Sequence, residues 1–324
     1  MNRIFRSDKK ITSFNKKITI SGDKSISIRW VLLASQAEGR SKAYNLLMSE
    51  DVLAAINSIK KLGIKTSINK NYCEIIGNGI NGFKYKKNQI INAENSGTLG
   101  RLILGLLVKS PFKIKVIGDK SLSKRDFSRV TIPLEKFGVT FDYKNENKLP
   151  LSILGSQSIK DINYFEKRGS AQCKSSIMLA ALNASGTTFI KAKKSRNHSE
   201  LLFKYLKIPI KIKKTKKYDF INIQKPKKIK AFNYQIPGDI SSSAFFIVLT
   251  MLANDSKLLI KNVNINPSRM GAITILKKMG AKIYLKNKKN YKGEKISDIL
   301  IRSSNNLKSI NCPSELNSSA IDEF

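Results

Sequence analysis

The sequence predicts an α/β repeat fold, made of successive β-α-β-α-β-β units packed around buried helices. Two observations carry that prediction. First, a helix-end pattern recurs in the segments 59–64, 134–139, 203–208 and 276–281. Its stop positions, Gly63, Gly138, Lys207 and Gly280, are 75, 69 and 73 residues apart. Three of the four are glycines, as a left-handed helix stop prefers. Second, a stretch that is apolar nearly all round precedes each pattern, at 25–36, 98–108, 171–183 and 241–253. Helices apolar on every side are normally buried.

The other elements fall between these two marks. Short β-type runs come before the apolar helices, at 17–20, 89–92, 161–165 and 231–236. A second strand follows each helix, at 42–46, 112–117, 187–192 and 257–263. An amphipathic helix then runs to the stop position. Alternating segments such as 64–68 with 72–76, and 281–285 with 296–301, read as hairpins. A fifth unit opens at 308–312, and its first helix is due where the sequence reaches Phe324. The chain therefore reads as ending within a unit.

Composition narrows the chemistry. The 324 residues carry 60 Lys+Arg against 23 Asp+Glu, a formal charge of +37. Of the 60 basic residues, 49 are Lys, and the densest run, 207–230, alternates Lys with Ile rather than with aromatics. That is the pattern of a solvated hairpin face, so specific nucleic-acid binding is not expected. Anionic small substrates are favoured. His198 is the single histidine, which leaves no material for a His-based triad or a multi-His metal site. Cys73, Cys173 and Cys312 form no C-x-x-C pair, and neither a disulfide framework nor a thiolate metal site is expected. No apolar run reaches membrane-spanning length, and Met1 to Asp8 has no signal-peptide core.

Candidate chemistry gathers at the helix starts. The apolar helices begin at Gly22-Asp23-Lys24-Ser25, Asn95-Ser96-Gly97-Thr98, Gly169-Ser170-Ala171-Gln172 and Gly238-Asp239-Ile240-Ser241, with Asp322 at the fifth equivalent position. Helix N-termini attract anions, and these starts supply Gly, Ser and Thr at them. The same residue types also serve as ordinary N-caps. A basic loop, Gly118-Asp119-Lys120-Ser121-Leu122-Ser123-Lys124-Arg125, reads as an anion clamp. Six of the eleven arginines fall at or just after these segments (Arg29, Arg101, Arg125, Arg129) or in the stretches 195–198 and 266–269 (Arg196, Arg269). Gly77-x-Gly79-x-x-Gly82 matches a dinucleotide fingerprint by spacing alone, since a strand rather than a helix follows it. His198 reads as a helix-start residue, Cys173 as packed and Trp30 as core.

With these residues assembled, the chain resembles the 3-phosphoshikimate 1-carboxyvinyltransferase (EPSP synthase) family from Ile18 to Phe324. The resemblance rests on Ser21 to Ser27 with Arg29, Asn95 to Thr98 with Arg101, Gly118 to Arg125, and Ser170-Ala171-Gln172 with Lys174. It continues through Ser195-Arg196-Asn197-His198, Pro237 to Ser242, and Asn266-Pro267-Ser268-Arg269 with Gly271. It implies a two-globule enolpyruvyl transferase fold with buried parallel helices, incomplete at the C-terminus. Residues 22–235 are expected to form one globule of three units. Residues 1–21 plus 236–324 are expected to form part of the other, with the substrates in the cleft between. The implied reaction moves the enolpyruvyl group of phosphoenolpyruvate onto the 5-hydroxyl of shikimate 3-phosphate and releases phosphate, by addition and then elimination. No metal or organic cofactor is implied.

By the same resemblance Lys24 contacts both substrates. Ser25, Arg29, Ser170, Ala171, Gln172, Ser195 and Arg196 hold shikimate 3-phosphate. Gly97, Arg125 and Gln172 line the phosphoenolpyruvate site, and Asp322 takes the hydroxyl proton. A cytoplasmic enzyme, monomeric at full length, is implied. One departure stands out: Asp126-Phe127 follows Arg125 where the family commonly has Pro-Met. Family chains also continue past the position of Phe324, into a stretch with a Lys-Glu pair and further arginines, so these 324 residues alone are expected not to catalyse. Two rival readings remain. One is the sister transferase acting on UDP-N-acetylglucosamine, which typically uses a loop Cys that segment 109–129 lacks. The other is a non-catalytic repeat protein that binds anions or nucleic acid.

Overall fold

A computed structural model describes residues 12–323. The Met1 to Asp8 segment and Phe324 lie outside the described residues. The elements run β1 (Asn15–Thr19), α1 (Lys24–Ser35), β2 (Glu38–Tyr44), α2 (Glu50–Lys61), β3 (Lys65–Ile68), β4 (Tyr72–Asn78) and β5 (Ile90–Asn92). Next come α3 (Gly97–Leu106), β6 (Ile114–Ile117), α4 (Ser128–Glu135), β7 (Thr140–Tyr143), β8 (Leu151–Leu154), β9 (Asn163–Glu166) and α5 (Ala171–Ala180). They continue with β10 (Thr187–Lys193), α6 (His198–Tyr205), β11 (Ile210–Lys214), β12 (Tyr218–Gln224), β13 (Tyr234–Gln235) and α7 (Ile240–Leu252). The last are β14 (Lys257–Asn264), α8 (Gly271–Lys278), β15 (Lys282–Tyr291) and β16 (Glu294–Arg302).

The chain divides into two compact units, one of residues 22–236 and one of residues 1–21 with 237–324. The first unit holds three four-stranded sheets, ordered β13-β2-β4-β3, β5-β6-β8-β7 and β9-β10-β12-β11. The second holds one sheet of the same plan, β1-β14-β16-β15. In every sheet an edge strand runs parallel to its neighbour and a hairpin closes the other side. The apolar helix is the crossover that a parallel pair requires.

The repeat holds, with one exchange. The sequence reads 17–20 as the first strand of the unit that contains α1. In the structure β1 instead pairs with β14, Asn15 opposite Lys257 through Thr19 opposite Lys261. The strand beside β2 is β13, a two-residue strand with Tyr234 opposite Ala43. Each unit thus takes its opening strand from the other's stretch of sequence. Periodicity marks a strand but not its partner. A second expectation fails: 308–312 forms no strand.

Local rules account for the elements. β10 and β12 alternate buried and solvent-facing residues, the mark of a sheet wet on one side. The lysines take the wet rows. There the sheet does what the linear sequence did not show: it sets Lys191 Nζ 4.6 Å from the Phe165 ring centroid and 4.7 Å from that of Tyr218. At the helix stops Gly63, Gly138 and Gly280 have φ of +82°, +96° and +99°. Where glycine is missing, Lys207 adopts φ +56° itself, and Ile208 N–H still bonds Phe203 O at 3.0 Å.

α1, α3 and α5 are buried along nearly their whole length, as expected. α7 is not. Ile240, Ile247 and Met251 enter its unit's core with Ile260, Ile299 and Ile301. Phe245 and Leu252, however, are 79% and 66% exposed. Among the described residues one sheet covers one side of α7, and Phe245, Phe246, Leu249 and Leu252 on that helix are exposed.

Candidate active site

The 22–236 unit brings most of the expected residues into two adjoining clusters. The first joins α1, α5 and α6. Asp23 caps α1, its carboxylate accepting from Ile26 N–H at 2.9 Å. Ser25 and Arg29 follow on the first turns. The Arg29 guanidinium is buried, and it donates to Ser199 Oγ at 2.7 Å, Ser175 Oγ at 3.0 Å and the Ser25 carbonyl at 3.0 Å. Ser170 caps α5 by accepting from Cys173 N–H at 3.2 Å. The loop before it is held by the buried carboxylate of Glu166, which accepts from Ser170 N–H at 2.9 Å and Arg168 N–H at 3.0 Å. Ser195 and Arg196 lie just before α6, half-buried. The Ser195 hydroxyl is buried and has no hydrogen-bond partner among the described residues. The hydroxyl is therefore available to a ligand or a water. Lys24 is half exposed, with its ammonium 3.6 Å from the Asp51 carboxylate.

The second cluster is an arginine pocket at the start of α3. Ser96 caps the helix through Leu99 N–H at 3.2 Å. Gly97 lies under two guanidiniums: a Cβ there would stand 3.0 Å from Arg101 Nη1 and 3.1 Å from Arg125 Nη1. Arg101 donates to Gln172 Oε1 at 2.7 Å and to the Asp126 carbonyl at 3.1 Å. Gln172 Nε2 passes the chain on to Thr98 Oγ1 at 3.1 Å, so α3 and α5 are joined. Arg125 donates to Asn95 Oδ1 at 3.1 Å. Burial pushes Arg101 down to about 10, and Arg129 and Arg125 push it further in the same direction, against Asp126. A guanidinium held against its own charge beside like charges is short of an anion.

The Asp126-Phe127 departure is built into this pocket. Asp126 accepts from Ser128 N–H at 2.7 Å and Ser128 Oγ at 2.8 Å, fixing the entry to α4. Phe127 is buried beneath Arg101, whose guanidinium carbon is 5.0 Å from the ring centroid.

Two carboxylates that sequence reading missed, Glu166 and Glu200, lie inside this unit. A third, Glu294, is in the other unit, where it accepts from Asn264 Nδ2 at 3.1 Å and Asn266 Nδ2 at 3.0 Å. It fixes the loop that carries Arg269. Arg269 in turn bonds Ser241 and lies 3.7 Å from Asp239, the cap of α7. Asp322 belongs to that second unit, in a helical turn over Ile321–Glu323. Its side chain lies outside the described residues. The remaining readings agree with the packing. His198 opens α6 and is buried. Trp30 is core, edge-on to Phe232. Cys173 is packed, its thiol pushed up to about 12 by burial and then by Glu166.

The family model described as EPSP synthase (3-phosphoshikimate 1-carboxyvinyltransferase) matches residues 9–313. The chain belongs to the EPSP synthase family. A 3-phosphoshikimate 1-carboxyvinyltransferase of Petrotoga mobilis is 40% identical over 315 residues, 96% of this chain and 72% of that protein. One from Ruthia magnifica is 40% identical over 317 residues, covering 98% and 71%. The solved structure of EPSP synthase from Acinetobacter baumannii superposes with TM-score 0.87 at 36% identity, over 96% of this chain and 70% of that one. As an EPSP synthase family member, the chain has the α/β architecture of those structures, and the family reaction is enolpyruvyl transfer from phosphoenolpyruvate to shikimate 3-phosphate.

Proposed function

We propose that the two clusters are the halves of a bisubstrate site. The α1, α5 and α6 starts take shikimate 3-phosphate, and the arginine pocket over Gly97 takes phosphoenolpyruvate. The observation that carries the proposal is the Gly97 geometry. Two guanidiniums converge where a side chain would otherwise stand, and Arg101 is under like-charge repulsion that a bound phosphate or carboxylate would relieve.

In this reading Ser25, Arg29, Ser170, Ala171, Gln172, Ser195 and Arg196 hold shikimate 3-phosphate. Lys24 touches both substrates, and Gly97, Arg125 and Gln172 line the donor pocket. The 5-hydroxyl oxygen bonds to C2 of the enol as Asp322 takes its proton and C3 gains a proton to become a methyl group. Phosphate then leaves C2 as C3 gives up a proton, which restores the double bond. Both substrates are multiply anionic. Cations held in place by hydrogen bonds stabilise the charge that moves during addition without reorganising at that moment. Holding the hydroxyl against the enol removes much of the entropic barrier. We extend the proposal to a cytoplasmic location and a monomeric state at full length, with family resemblance as the support for both. Among the described residues no helix is long and apolar enough to cross a membrane.

The test is a calorimetric titration with shikimate 3-phosphate. The folded chain binds it, and Ser195→Ala weakens binding about tenfold, the loss of one hydrogen bond to a charged group. The thermal midpoint does not fall, because the hydroxyl has no partner among the described residues. A folded chain with no affinity for shikimate 3-phosphate overturns the assignment.

A further inference from the structure

Lys174 is out of place by ordinary rules. It has no exposed surface, on a helix whose buried neighbours are Ser175, Ser176, Ile177, Met178 and Leu179. Its Nζ lies 2.5 Å from Oε1 of Glu200 on α6, a side chain 3% exposed. The second oxygen of Glu200 accepts no hydrogen bond among the described residues. Taking two charges out of water is expensive, and an apolar pair of the same volume would pack as well or better. Stability is therefore a poor reason for this pair.

Its position gives a better one. The residue after Lys174 is Ser175 and the residue before Glu200 is Ser199. Their hydroxyls are 2.6 Å apart, and both accept from the Arg29 guanidinium. At one level, then, α1, α5 and α6 are tied together by polar contacts. One turn above that level on α5 are Ser170 and Gln172. Just before α6 are Ser195 and Arg196. On the first turn of α1 are Lys24 and Ser25.

We propose that the Lys174–Glu200 ion pair is a positioning device. It fixes the register of α5 against α6, and so the spacing between the groups that hold shikimate 3-phosphate. The proposal rests on the shikimate 3-phosphate reading given above. Apolar side chains let two helices settle wherever volume is filled. Lys174 Nζ makes no hydrogen bond of ordinary geometry among the described residues, so the ion pair is its tie to α6. Sliding the helices apart would leave two unpaired charges in a low-dielectric interior. Neither Lys174 nor Glu200 is assigned a substrate contact, so both act through Ser170, Gln172, Ser195 and Arg196.

The test measures shikimate 3-phosphate affinity by calorimetry alongside thermal unfolding. The variants are Glu200→Gln, Glu200→Asp and the double Lys174→Met/Glu200→Leu. The double variant swaps the pair for apolar groups of similar size and is expected to fold with a midpoint at or above the parent's. Its affinity is expected to fall about tenfold or more, because small displacements of binding groups are costly. Glu200→Asp keeps both charges but withdraws the carboxylate, and a smaller fall is expected. A folded double variant with parental affinity overturns the proposal and leaves the pair a packing feature. If the double variant does not fold, Glu200→Asp decides: affinity unchanged in the folded protein overturns the proposal too. Glu200→Gln that loses thermal stability while keeping its affinity does the same. A parent chain that folds without binding shikimate 3-phosphate removes the underlying site reading instead, and the positioning role falls with it.

Discussion

α5 and α7 occupy the same station in the repeat, and they differ in the wrong direction. α7 is the more uniformly apolar helix, yet Phe245 and Leu252 on it are largely exposed. α5 carries a lysine and two serines, yet from Cys173 onward it is buried. Burial follows from what packs on a helix, not from its own composition. α5 has α3 and α4 packed against it. α7 has the sheet of its unit and the single helical turn Ile321–Glu323. The polar residues of α5 are tolerated inside because each finds a partner there: Lys174 has Glu200, Ser175 has Arg29, and Ser176 Oγ donates to the Arg101 carbonyl at 3.0 Å.

The sharpest way to break this comparison is a pair of truncations at matched stations. Ile177→Ala on α5 empties a site with no exposed surface, and about 2–5 kcal/mol of stability should go with it. Phe245→Ala on α7 removes a larger side chain from water, and the change should stay within about 0.5 kcal/mol. Denaturant titrations of both variants measure the two numbers. Equal losses would mean that α7 is covered in solution and the contrast between the helices is not real.

The same contrast shows what the sequence made legible. Repeat period, helix starts and hairpins were readable because turn chemistry and apolar periodicity are local. The exchange of β1 and β13 was not, because a short apolar run looks the same whichever edge it joins. Among the candidate site residues, Gly97 and Gln172 were readable at helix starts and Arg125 in a basic loop, as types suited to anions. Glu166 and Glu200 were not, since a glutamate in a polar-looking stretch reads as solvent-facing. One signal was available for Glu200. Glu200 shares the first turn of α6 with Ser199, while Lys174 and Ser175 sit side by side on an otherwise apolar helix, and a lysine inside such a helix needs a carboxylate somewhere. Asp126 shows the converse. In the sequence it is a departure from the family pattern, and its carboxylate supplies the bonds that shape the loop.

The helix starts differ as much as the helix bodies. At α3 the space above Gly97 is bounded by guanidiniums. At α7 Arg269 is already engaged with Ser241 and stands beside Asp239. Gly97→Ala should therefore act on ligand binding alone. The added methyl stands about 3 Å from both guanidinium nitrogens, tighter than an ordinary contact, and they must retreat from the position of a bound anion. Phosphoenolpyruvate affinity measured by calorimetry should drop about tenfold. Shikimate 3-phosphate affinity should fall less, through the Arg101–Gln172 bond at 2.7 Å, and the thermal midpoint should change little. A drop in shikimate 3-phosphate affinity of the same size would place Gly97 in a different cluster.

The smallest expected effect separates the two units by pH. Asp298, buried in the 237–324 part, and Asp126, in the other unit, both titrate below their ordinary range. At Asp298 burial pushes the carboxyl up. Lys261, the Asn262 amide at 2.9 Å and Asn287 Nδ2 at 2.8 Å outweigh it. At Asp126 burial also pushes up, and the two Ser128 hydrogen bonds with Arg129 and Arg168 outweigh it. A carboxyl held below its unfolded value of 3.8 adds stability that is present above that pH and is lost as pH falls through the folded value. Asp298→Asn should therefore lower the midpoint near neutral pH and flatten its decline in acid. Asp126 is 44% exposed, so solvent screens its contacts and Asp126→Asn should do the same more weakly. Thermal scans from neutrality to about pH 3 read both slopes. A steeper acid decline in Asp298→Asn than in the parent would show that its bonds favour the protonated form, and the sign of the contribution would reverse.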